Sequence, residues 1–423
     1  MPPLQRIPSN QTISETRTSV STHRFKTGRD DVSENHVQGC LPVIKKRVKR
    51  TIARTPFLQS IPPKDNVASI GQFMRSEIRI GKKLGEGGYA EVYEIEAFDL
   101  CPVTSSKYSK DMQTIRANFQ RDAIDPSTGR CRYVIKHMRK SSLEKSRGEF
   151  ATGVADMAAE ASYLMRFKHT NILSLRGLPS KGLESLEEGK YDSFFLILDR
   201  ITETLNERIV RWRLEEKQNK KTKILYSKQI ASALEYLHSH RIVYRDIKPQ
   251  NIGIDSNENI VLFDFGLCRQ LPATPGDSND VYKLARAGTR RYMAPEVAAQ
   301  ASYNCKADIY GWSLVVWQMF TLAKPFSAYN EHSHLKYVCI GDERPALNLL
   351  DSMKSLHEDI YFPVPKSIRA ILVKTWDASH TKRPGMHSVC CELDSLLTRQ
   401  TNKTPNRFSR LVSGNRKVRV VNA

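Results

Sequence analysis

The spacing of apolar and polar residues predicts a strand-rich first part of the chain and a helical second part. Short runs rich in β-branched, aromatic and leucine side chains, typical of buried strands, occupy residues 133–136 and 194–198. Apolar residues recur every three or four positions over residues 150–166 and 224–238, which predicts two amphipathic helices. Residues 308–320 are apolar nearly all round, so we expect a helix through the centre of the second part. The pattern predicts an α+β fold.

Two short apolar runs, residues 252–254 and 260–263, flank a polar stretch and predict a β-hairpin. A hairpin brings its outer ends together, so we expect Asn251 and Asp264 to meet there, with Asp246 one short loop away. Carboxylate and amide oxygens suit magnesium, which binds through one or two carboxylates together with water and phosphate. The hairpin is therefore a candidate site for a hard cation.

A glycine-rich turn with Gly85, Gly87 and Gly88 lies between two segments of strand type. Because no helix follows the glycines directly, the pattern differs from a dinucleotide-binding βαβ unit and predicts a hairpin instead. Glycine has no Cβ, which lets the backbone come close to phosphate oxygens. The turn is therefore a candidate phosphate-binding loop.

A lysine and a glutamate in the first part also point inward. Val134 and Lys136 share one face of their predicted strand, because strand side chains alternate. Glu160 falls within the apolar stripe of the helix predicted over residues 150–166. An inward carboxylate needs a cationic partner, because an unpaired buried charge is costly. The alternative is a glutamate at the edge of the helix.

The charge balance is strongly basic, with 66 Lys and Arg against 45 Asp and Glu and a formal net charge of +21. So basic a protein could bind nucleic acid or an acidic membrane. Much of the excess, however, lies in residues 45–50 and after Asp394, outside the segments with predicted strands and helices. We do not expect nucleic acid to be the main partner, and the basic ends are candidates for docking acidic partners.

Cysteine usage and hydropathy exclude other classes of protein. The eight cysteines contain no CxxC pair, so neither a zinc site nor a disulfide framework is indicated. No run of eighteen apolar residues occurs, and the first residues lack the apolar stretch of a signal peptide. We therefore expect an intracellular protein without a transmembrane segment, in the cytoplasm, the nucleus or both.

We predict four regions along the chain. Residues 1–71 are rich in Ser, Thr, Pro, Arg and Lys without a sustained period, so we expect them to be disordered. Residues 72–198 are expected to form a first lobe, with a polar surface insertion at about residues 97–130. Residues 199–396 are expected to form a second lobe, and residues 397–423 a basic tail.

The motifs, in their order and spacing, resemble the protein kinase family over about residues 76–396. Residues 242–266, IVYRDIKPQNIGIDSNENIVLFDFG, resemble its catalytic loop and Asp-Phe-Gly magnesium loop. Residues 288–296, GTRRYMAPE, resemble its substrate-positioning loop. The resemblance implies a bilobal fold, with a small β-rich first lobe holding one main helix and a larger, mainly helical second lobe. It also implies ATP and Mg²⁺ as cofactors and proteins as substrates.

The resemblance implies a role for each candidate site residue. Asp246 would be the catalytic base, and Lys248 would neutralise charge on the transferred phosphoryl group. Lys136 would reach the α- and β-phosphates of ATP and pair with Glu160. The remaining positions would surround ATP (Leu84, Gly85, Gly87, Gly88, Val92, Val134, Lys136, Leu198, Asp199 and Ile201) or bind magnesium (Asn251 and Asp264).

Supporting contacts follow from the same resemblance. Thr289 would be a hydrogen-bonding partner inside the catalytic loop, and Asp308 would hold the backbone of that loop. Arg383 would pair with Glu296 in a structural role.

The polar segment over residues 267–287 resembles an activation loop. Thr274, Ser278 and Tyr282 are available there for phosphorylation. Arg245, directly before the predicted base, could pair with such a phosphate through charge-assisted hydrogen bonds.

Three functions remain open on the sequence alone. The first is an active protein serine/threonine kinase, because DIKPQN with Lys248 resembles such kinases. GTRRYMAPE and Arg383-Pro384 resemble their tyrosine-kinase-like branch. The second is a pseudokinase that binds ATP as a scaffold, favoured by Ala90, Val134 and Tyr244, where the family usually has Gly, Ala and His. The third is a basic nucleic-acid-binding or membrane-binding protein with a vestigial kinase unit.

Overall fold

The computed structural model describes residues 30–60, 62, 69–215, 219–272, 280–348 and 361–401. Within these residues a β-rich lobe precedes a larger, mainly helical lobe, which confirms the predicted bilobal α+β fold. No helix in the described ranges is both long enough and apolar enough to cross a membrane.

One six-stranded sheet forms the first lobe, built from β1 (Gly71–Phe73), β2 (Ile78–Glu86), β3 (Ala90–Phe98), β4 (Tyr133–Met138), β5 (Leu175–Pro179) and β6 (Phe195–Asp199). The strand order is β1-β5-β6-β4-β3-β2. Strand β1 pairs with β5 in parallel, and the other neighbours pair antiparallel. The glycine-rich turn joins β2 to β3, as predicted.

The helices of this part are α1 (Asp30–Ala53), α2 (Pro56–Gln59), α3 (Pro102–Ser105), α4 (Lys110–Asp122), α5 (Lys140–Lys145) and α6 (Arg147–Leu164). Helix α6 is the one predicted over residues 150–166. It begins three residues earlier because the Ser146 hydroxyl caps it, accepting the backbone N–H of Gly148 at 3.1 Å. Helix α6 packs against β4 and carries Glu160.

The prediction of disorder through residue 71 is wrong for residues 30–60. Helix α1 packs along α6 and along the 3-10 helix Gly182–Glu188. One face of α1 is buried and apolar at helical spacing: Val37, Cys40, Leu41, Ile44 and Val48. Burial of this stripe against α6 offsets the ordering entropy, while the basic residues between its members face solvent. Residues 1–29 and the tail after Thr401 lie outside the described residues.

The insertion at residues 97–130 is also more ordered than expected. Ser109 caps α4, and the helix packs on β1 with Phe119 buried between Phe73 and Phe98. The guanidinium of Arg116 lies 2.6 Å from the carboxylate of Glu77, with side chains only 1% and 4% exposed. The insertion is therefore part of the core of the first lobe and no mere surface loop, because its buried ion pair and aromatic contacts hold it in place.

The second lobe is formed mainly by α7 (Leu205–Leu214), α8 (Lys220–Ser239), α9 (Pro295–Ala298), α10 (Lys306–Thr321), α11 (Glu331–Ser333), α12 (Lys366–Thr375) and α13 (Met386–Thr401), with a π-helix at His334–Ile340. Every residue of α10 after Lys306 is buried, so this helix runs through the centre of the lobe, as predicted. Helix α8 packs against α10 and α13 and leads into the catalytic loop.

Short strands position that loop: β7 (Glu203–Thr204), β8 (Ile242–Val243), β9 (Ile252–Ile254), β10 (Ile260–Leu262) and β11 (Arg269–Gln270). Strands β9 and β10 pair antiparallel with Ile254 opposite Ile260, which confirms the predicted hairpin. The Asp255 carboxylate accepts the N–H groups of Asn257 and Asn259, both at 2.8 Å, and so closes the turn.

Candidate active site

The Asp246 carboxylate is held from two sides. Its Oδ1 accepts hydrogen bonds from the backbone N–H and the hydroxyl of Thr289, both at 2.8 Å. Its Oδ2 accepts a hydrogen bond from Asn251 Nδ2 at 2.9 Å and lies 2.6 Å from Lys248 Nζ. Lys248 Nζ is also 3.2 Å from Thr289 Oγ1, so the expected contacts of Thr289 are present. These four donors fix the orientation of the carboxylate.

Asp308 on α10 holds the backbone of the loop directly before Asp246 by hydrogen bonds, as expected. Its carboxylate accepts the backbone N–H groups of Tyr244 and Arg245, both at 2.8 Å, and lies 3.0 Å from His238 Nε2. Arg245 has φ = 73°, a left-handed conformation that costs a non-glycine residue about 1–3 kcal/mol. The paired N–H groups hold the backbone in this conformation directly before Asp246.

Tyr244 fills the place where the family usually has His. Its ring meets Phe265 edge-on at 5.5 Å, and its hydroxyl donates to the Phe263 carbonyl at 2.5 Å. Burial raises the pKa of Tyr244 well above its usual range, so the hydroxyl keeps its proton. Tyr244 therefore packs under the magnesium loop and hydrogen-bonds the backbone directly before it.

Asn251 and Asp264 supply the oxygens of the candidate cation site. The two residues meet because the Phe263 N–H donates to the Asn251 carbonyl at 3.2 Å. Asn251 Nδ2 is used by Asp246, which leaves the Asn251 amide oxygen as an acceptor. Asp264 has φ = 65°, and its carboxylate accepts no hydrogen bond from the residues that the structure describes.

The donor set of this site fits magnesium better than a cage-bound metal. In the described part of the chain, no cluster of three or more His, Cys, Asp or Glu could hold a metal. One carboxylate and one amide oxygen suit an ion that takes its other ligands from water and phosphate.

Lys136 and Glu160 form the ion pair expected between β4 and α6, with 2.6 Å between Nζ and Oε2. Burial lowers the pKa of Lys136, but the carboxylates of Glu160 and Asp264 outweigh it and raise that pKa overall. Burial acts on Glu160 in the opposite sense and raises its pKa, although Lys136 opposes the shift. We treat the pair as charged, because the short contact and the second carboxylate both favour the ammonium.

The residues predicted to surround ATP line neighbouring strands. Val92 on β3 lies opposite Lys136 on β4, and Val134 lies opposite Leu198 on β6. The other members lie in β2 and its turn (Leu84, Gly85, Gly87 and Gly88) or at the crossing between lobes (Asp199 and Ile201). A Cβ at Gly85 would meet nothing within 4 Å, so the space beside the loop is open. Binding of adenine by Asp199 and Ile201 stays a prediction.

Arg139 contacts the glycine-rich turn and was missed by the sequence reasoning. Its guanidinium donates to the Gly87 carbonyl at 2.7 Å and also to the Gly88 carbonyl. Its backbone N–H donates to the Tyr89 carbonyl at 2.9 Å. The only signal in the sequence was a basic residue directly after a strand, which does not reveal a contact across the sheet.

The segment after the magnesium loop is described only in part, because Thr274 and Ser278 lie outside the described residues. The Tyr282 hydroxyl accepts a hydrogen bond from Arg241 at 2.6 Å. The guanidinium of Arg245 is bonded to the carbonyls of Leu267 and Ala285, at 2.6 and 3.3 Å. Phosphorylation of this segment stays a prediction.

Arg383 donates to both carboxylate oxygens of Glu296, at 2.6 and 2.9 Å, so the expected structural ion pair is present. Its side chain is fully buried. Because Glu296 lies in the first turn of α9, which directly follows residues 288–294, the pair anchors the end of the loop that carries Thr289.

A family model described as protein kinase domain matches residues 122–393. A mitogen-activated protein kinase kinase kinase 7-like protein of Drosophila melanogaster is 30% identical over 243 residues, covering 54% of this chain and 53% of the relative. The serine/threonine-protein kinase mos of Patiria pectinifera is 28% identical over 278 residues, covering 65% and 70%. The dual specificity protein kinase shkA of Dictyostelium discoideum is 29% identical over 280 residues, covering 64% and 46%. The chain thus spans about half the length of the Drosophila and Dictyostelium relatives.

Proposed function

The chain belongs to the protein kinase family, and on this premise we propose that it is an ATP-dependent protein serine/threonine kinase. It would transfer the γ-phosphate of ATP to Ser and Thr hydroxyls of protein substrates. The observation that carries the proposal is the Asp246 carboxylate, fixed by Thr289 and Asn251 with the Lys248 ammonium 2.6 Å away.

Asp246 accepts the proton of the substrate hydroxyl and orients its oxygen toward the γ-phosphate. General base catalysis of this kind contributes about 10²–10⁴ in rate. Lys248 neutralises charge that develops on the transferred phosphoryl group, because its ammonium lies within reach of that group and a nearby positive charge stabilises the developing negative charge. Thr289 keeps the carboxylate in the orientation that both roles need.

Asn251 and Asp264 would hold magnesium, and Lys136, oriented by Glu160, would bind the α- and β-phosphates. When bound there, magnesium would neutralise part of the negative charge of the nucleotide phosphates. The chain contributes the acceptors at the outer ends of the β9–β10 hairpin and the partly buried ammonium of Lys136 on β4. The fit of their oxygen and nitrogen donors supports this assignment.

Specificity for Ser and Thr is supported by Lys248, two positions after Asp246, in the order that resembles serine/threonine kinases. The relatives' names include both a serine/threonine kinase and a dual specificity kinase. We therefore propose serine and threonine as the main acceptors.

A pseudokinase scaffold is the second candidate, and one observation favours it. The two oxygens of Asp246 already receive four donors, which leaves no lone pair for a substrate hydroxyl. Lys248 is 22% exposed on a flexible stem, so its ammonium can turn to the γ-phosphate and release Oδ2. Rotation of the Lys248 side chain is therefore enough to free Asp246 Oδ2 for a substrate hydroxyl.

The proposal is tested by incubating the full chain and an Asp246→Asn variant with magnesium-ATP and generic protein substrates. We expect phosphate incorporation by the unchanged chain, mainly as phosphoserine and phosphothreonine, and a large loss in the variant. Equal incorporation by both proteins would refute the role of Asp246. Mainly phosphotyrosine would refute the acceptor specificity, and ATP binding without any transfer would favour the scaffold.

A further inference from the structure

An open pocket of about 390 Å³ lies beside the loop that carries Thr289. Its lining includes Arg286, Gly288, Arg290, Glu331 and Leu335, from the segment before α9 and from α11 and the π-helix. Leu335 and both arginines are exposed. The proposed catalytic roles do not use this pocket.

The pocket is next to the place where the substrate hydroxyl must lie. A Cβ at Gly288 would be 3.6 Å from Asp246 Oδ1. Thr289, between the two lining residues Gly288 and Arg290, is bonded to the same oxygen at 2.8 Å. One residue of extended chain covers about 3.3–3.6 Å, so a side chain one or two positions from the phosphoacceptor reaches the pocket.

Positive charge dominates the lining. The Arg290 guanidinium donates to the Tyr329 carbonyl at 3.3 Å. Arg286 and Arg290 outnumber the one acidic residue of the lining, Glu331, which lies 3.0 Å from Arg286. Both partners of that ion pair are about half exposed or more, so the pair is weak and a substrate carboxylate can compete for Arg286. His334 adds no charge near neutral pH, because burial first and then Arg290 lower its pKa to about 4.

We propose that this pocket selects protein substrates with an acidic residue within two positions of the phosphoacceptor. The two guanidinium groups would bind the substrate carboxylate by charge-assisted hydrogen bonds, and Leu335 would contact its aliphatic stem. The inference rests on the proposed kinase function and names the substrate class that the same site takes.

The test uses the full chain, magnesium-ATP and a set of peptides with one serine acceptor. Each peptide carries Asp, Asn or Lys at one of the four positions within two residues of the serine. At one position at least, we expect Asp to give about a fivefold higher kcat/KM than Asn, and Lys to give a lower value than Asn. Added salt should reduce the preference, because the pocket is open to solvent.

Arg286→Ala/Arg290→Ala should remove the preference for Asp, and Arg290→Glu should reverse it toward Lys. Arg121→Glu is the matched control, because that arginine is 71% exposed on α4 and lies outside both the pocket and the candidate active site. This control should keep the preference of the unchanged chain. Equal kcat/KM for Asp, Asn and Lys peptides, or an unchanged preference in Arg290→Glu, would overturn the inference.

Fluorescence anisotropy of labelled peptides, with a non-hydrolysable ATP analogue, separates this inference from the proposed function. Tighter binding of Asp than of Lys peptides, lost in the double alanine variant, supports the pocket even where no phosphate is transferred. Transfer without any charge preference would overturn the pocket and leave the kinase function standing. Absence of both transfer and charge-selective binding would overturn both.

Discussion

Helix α1 supports α6 from outside, and the substitution Ile44→Ala tests that support. Ile44 is fully buried in the apolar stripe that α1 presents to α6. Helix α6 also carries Glu160, the partner of Lys136. Loss of contact at Ile44 should therefore loosen the docking of α1 and, through α6, the position of the ion pair.

The magnitude follows from the atoms removed. Ile44→Ala deletes three carbons from a site with no solvent exposure, at about 0.8 kcal/mol for each carbon buried. The cavity left behind adds to this, which gives a loss of about 3 kcal/mol in the free energy of docking. Since 1.4 kcal/mol corresponds to a factor of ten, the undocked population of α1 should rise about 100-fold.

Hydrogen exchange followed by mass spectrometry measures this change directly, because undocking exposes the amides of α1. We expect exchange over α1 to accelerate by about 100-fold in Ile44→Ala, if docking alone limits it. Val43→Ala is the matched control on the same helix, because Val43 is 48% exposed and should change exchange little. The KM for magnesium-ATP should rise in Ile44→Ala and stay constant in Val43→Ala. Equal exchange rates over α1 in the two variants would refute the docking account.

Three further predictions follow from buried groups. Burial lowers the pKa of His334 to about 4, so the unfolded chain binds a proton at this side chain before the folded chain does as the pH falls below about 6.5. Between pH 7 and pH 5, His334→Phe should therefore lose about 2 kcal/mol less stability than the unchanged chain, as measured by thermal unfolding. An equal loss in both proteins would contradict this. Arg116→Ala should lower the free energy of unfolding, measured by urea denaturation, by about 3–5 kcal/mol, because it leaves the Glu77 carboxylate buried and unpaired. A loss below about 1 kcal/mol would count against the ion pair. The Cys268 thiol is buried, which raises its pKa. Iodoacetamide should therefore label the exposed Cys101 and spare Cys268 in the native protein. Equal labelling of both cysteines would disprove the burial of Cys268.

The part of the site formed by neighbouring residues could be predicted from the sequence. The β9–β10 hairpin is specified by its own turn residues, so the meeting of Asn251 with the start of the magnesium loop follows from local chemistry. To predict the ion pair of Lys136 with Glu160, the spacing of apolar residues in a strand and a helix had to be combined with the resemblance to the family.

The elements missed by the sequence reasoning depend on distant partners. In α1, Val37, Leu41, Ile44 and Val48 already follow helical spacing, but Pro42 and the many basic residues obscure it. The helix is stabilised by burial against α6, which lies about a hundred residues further along the chain. The buried Arg116 of the insertion was missed for the same reason, since its partner belongs to another segment.

The proposed role of Asp246 is to act as the base of a phosphoryl transfer for which the nucleotide is bound elsewhere in the site. It is tested most directly by measuring magnesium-ATP affinity and the initial rate of phosphate transfer on the same preparations of the unchanged chain and Asp246→Asn. We predict that the rate falls by about 10²-fold or more while the affinity changes little, because Asn keeps the shape of the side chain and loses the base. An unchanged rate in Asp246→Asn would refute this role of Asp246.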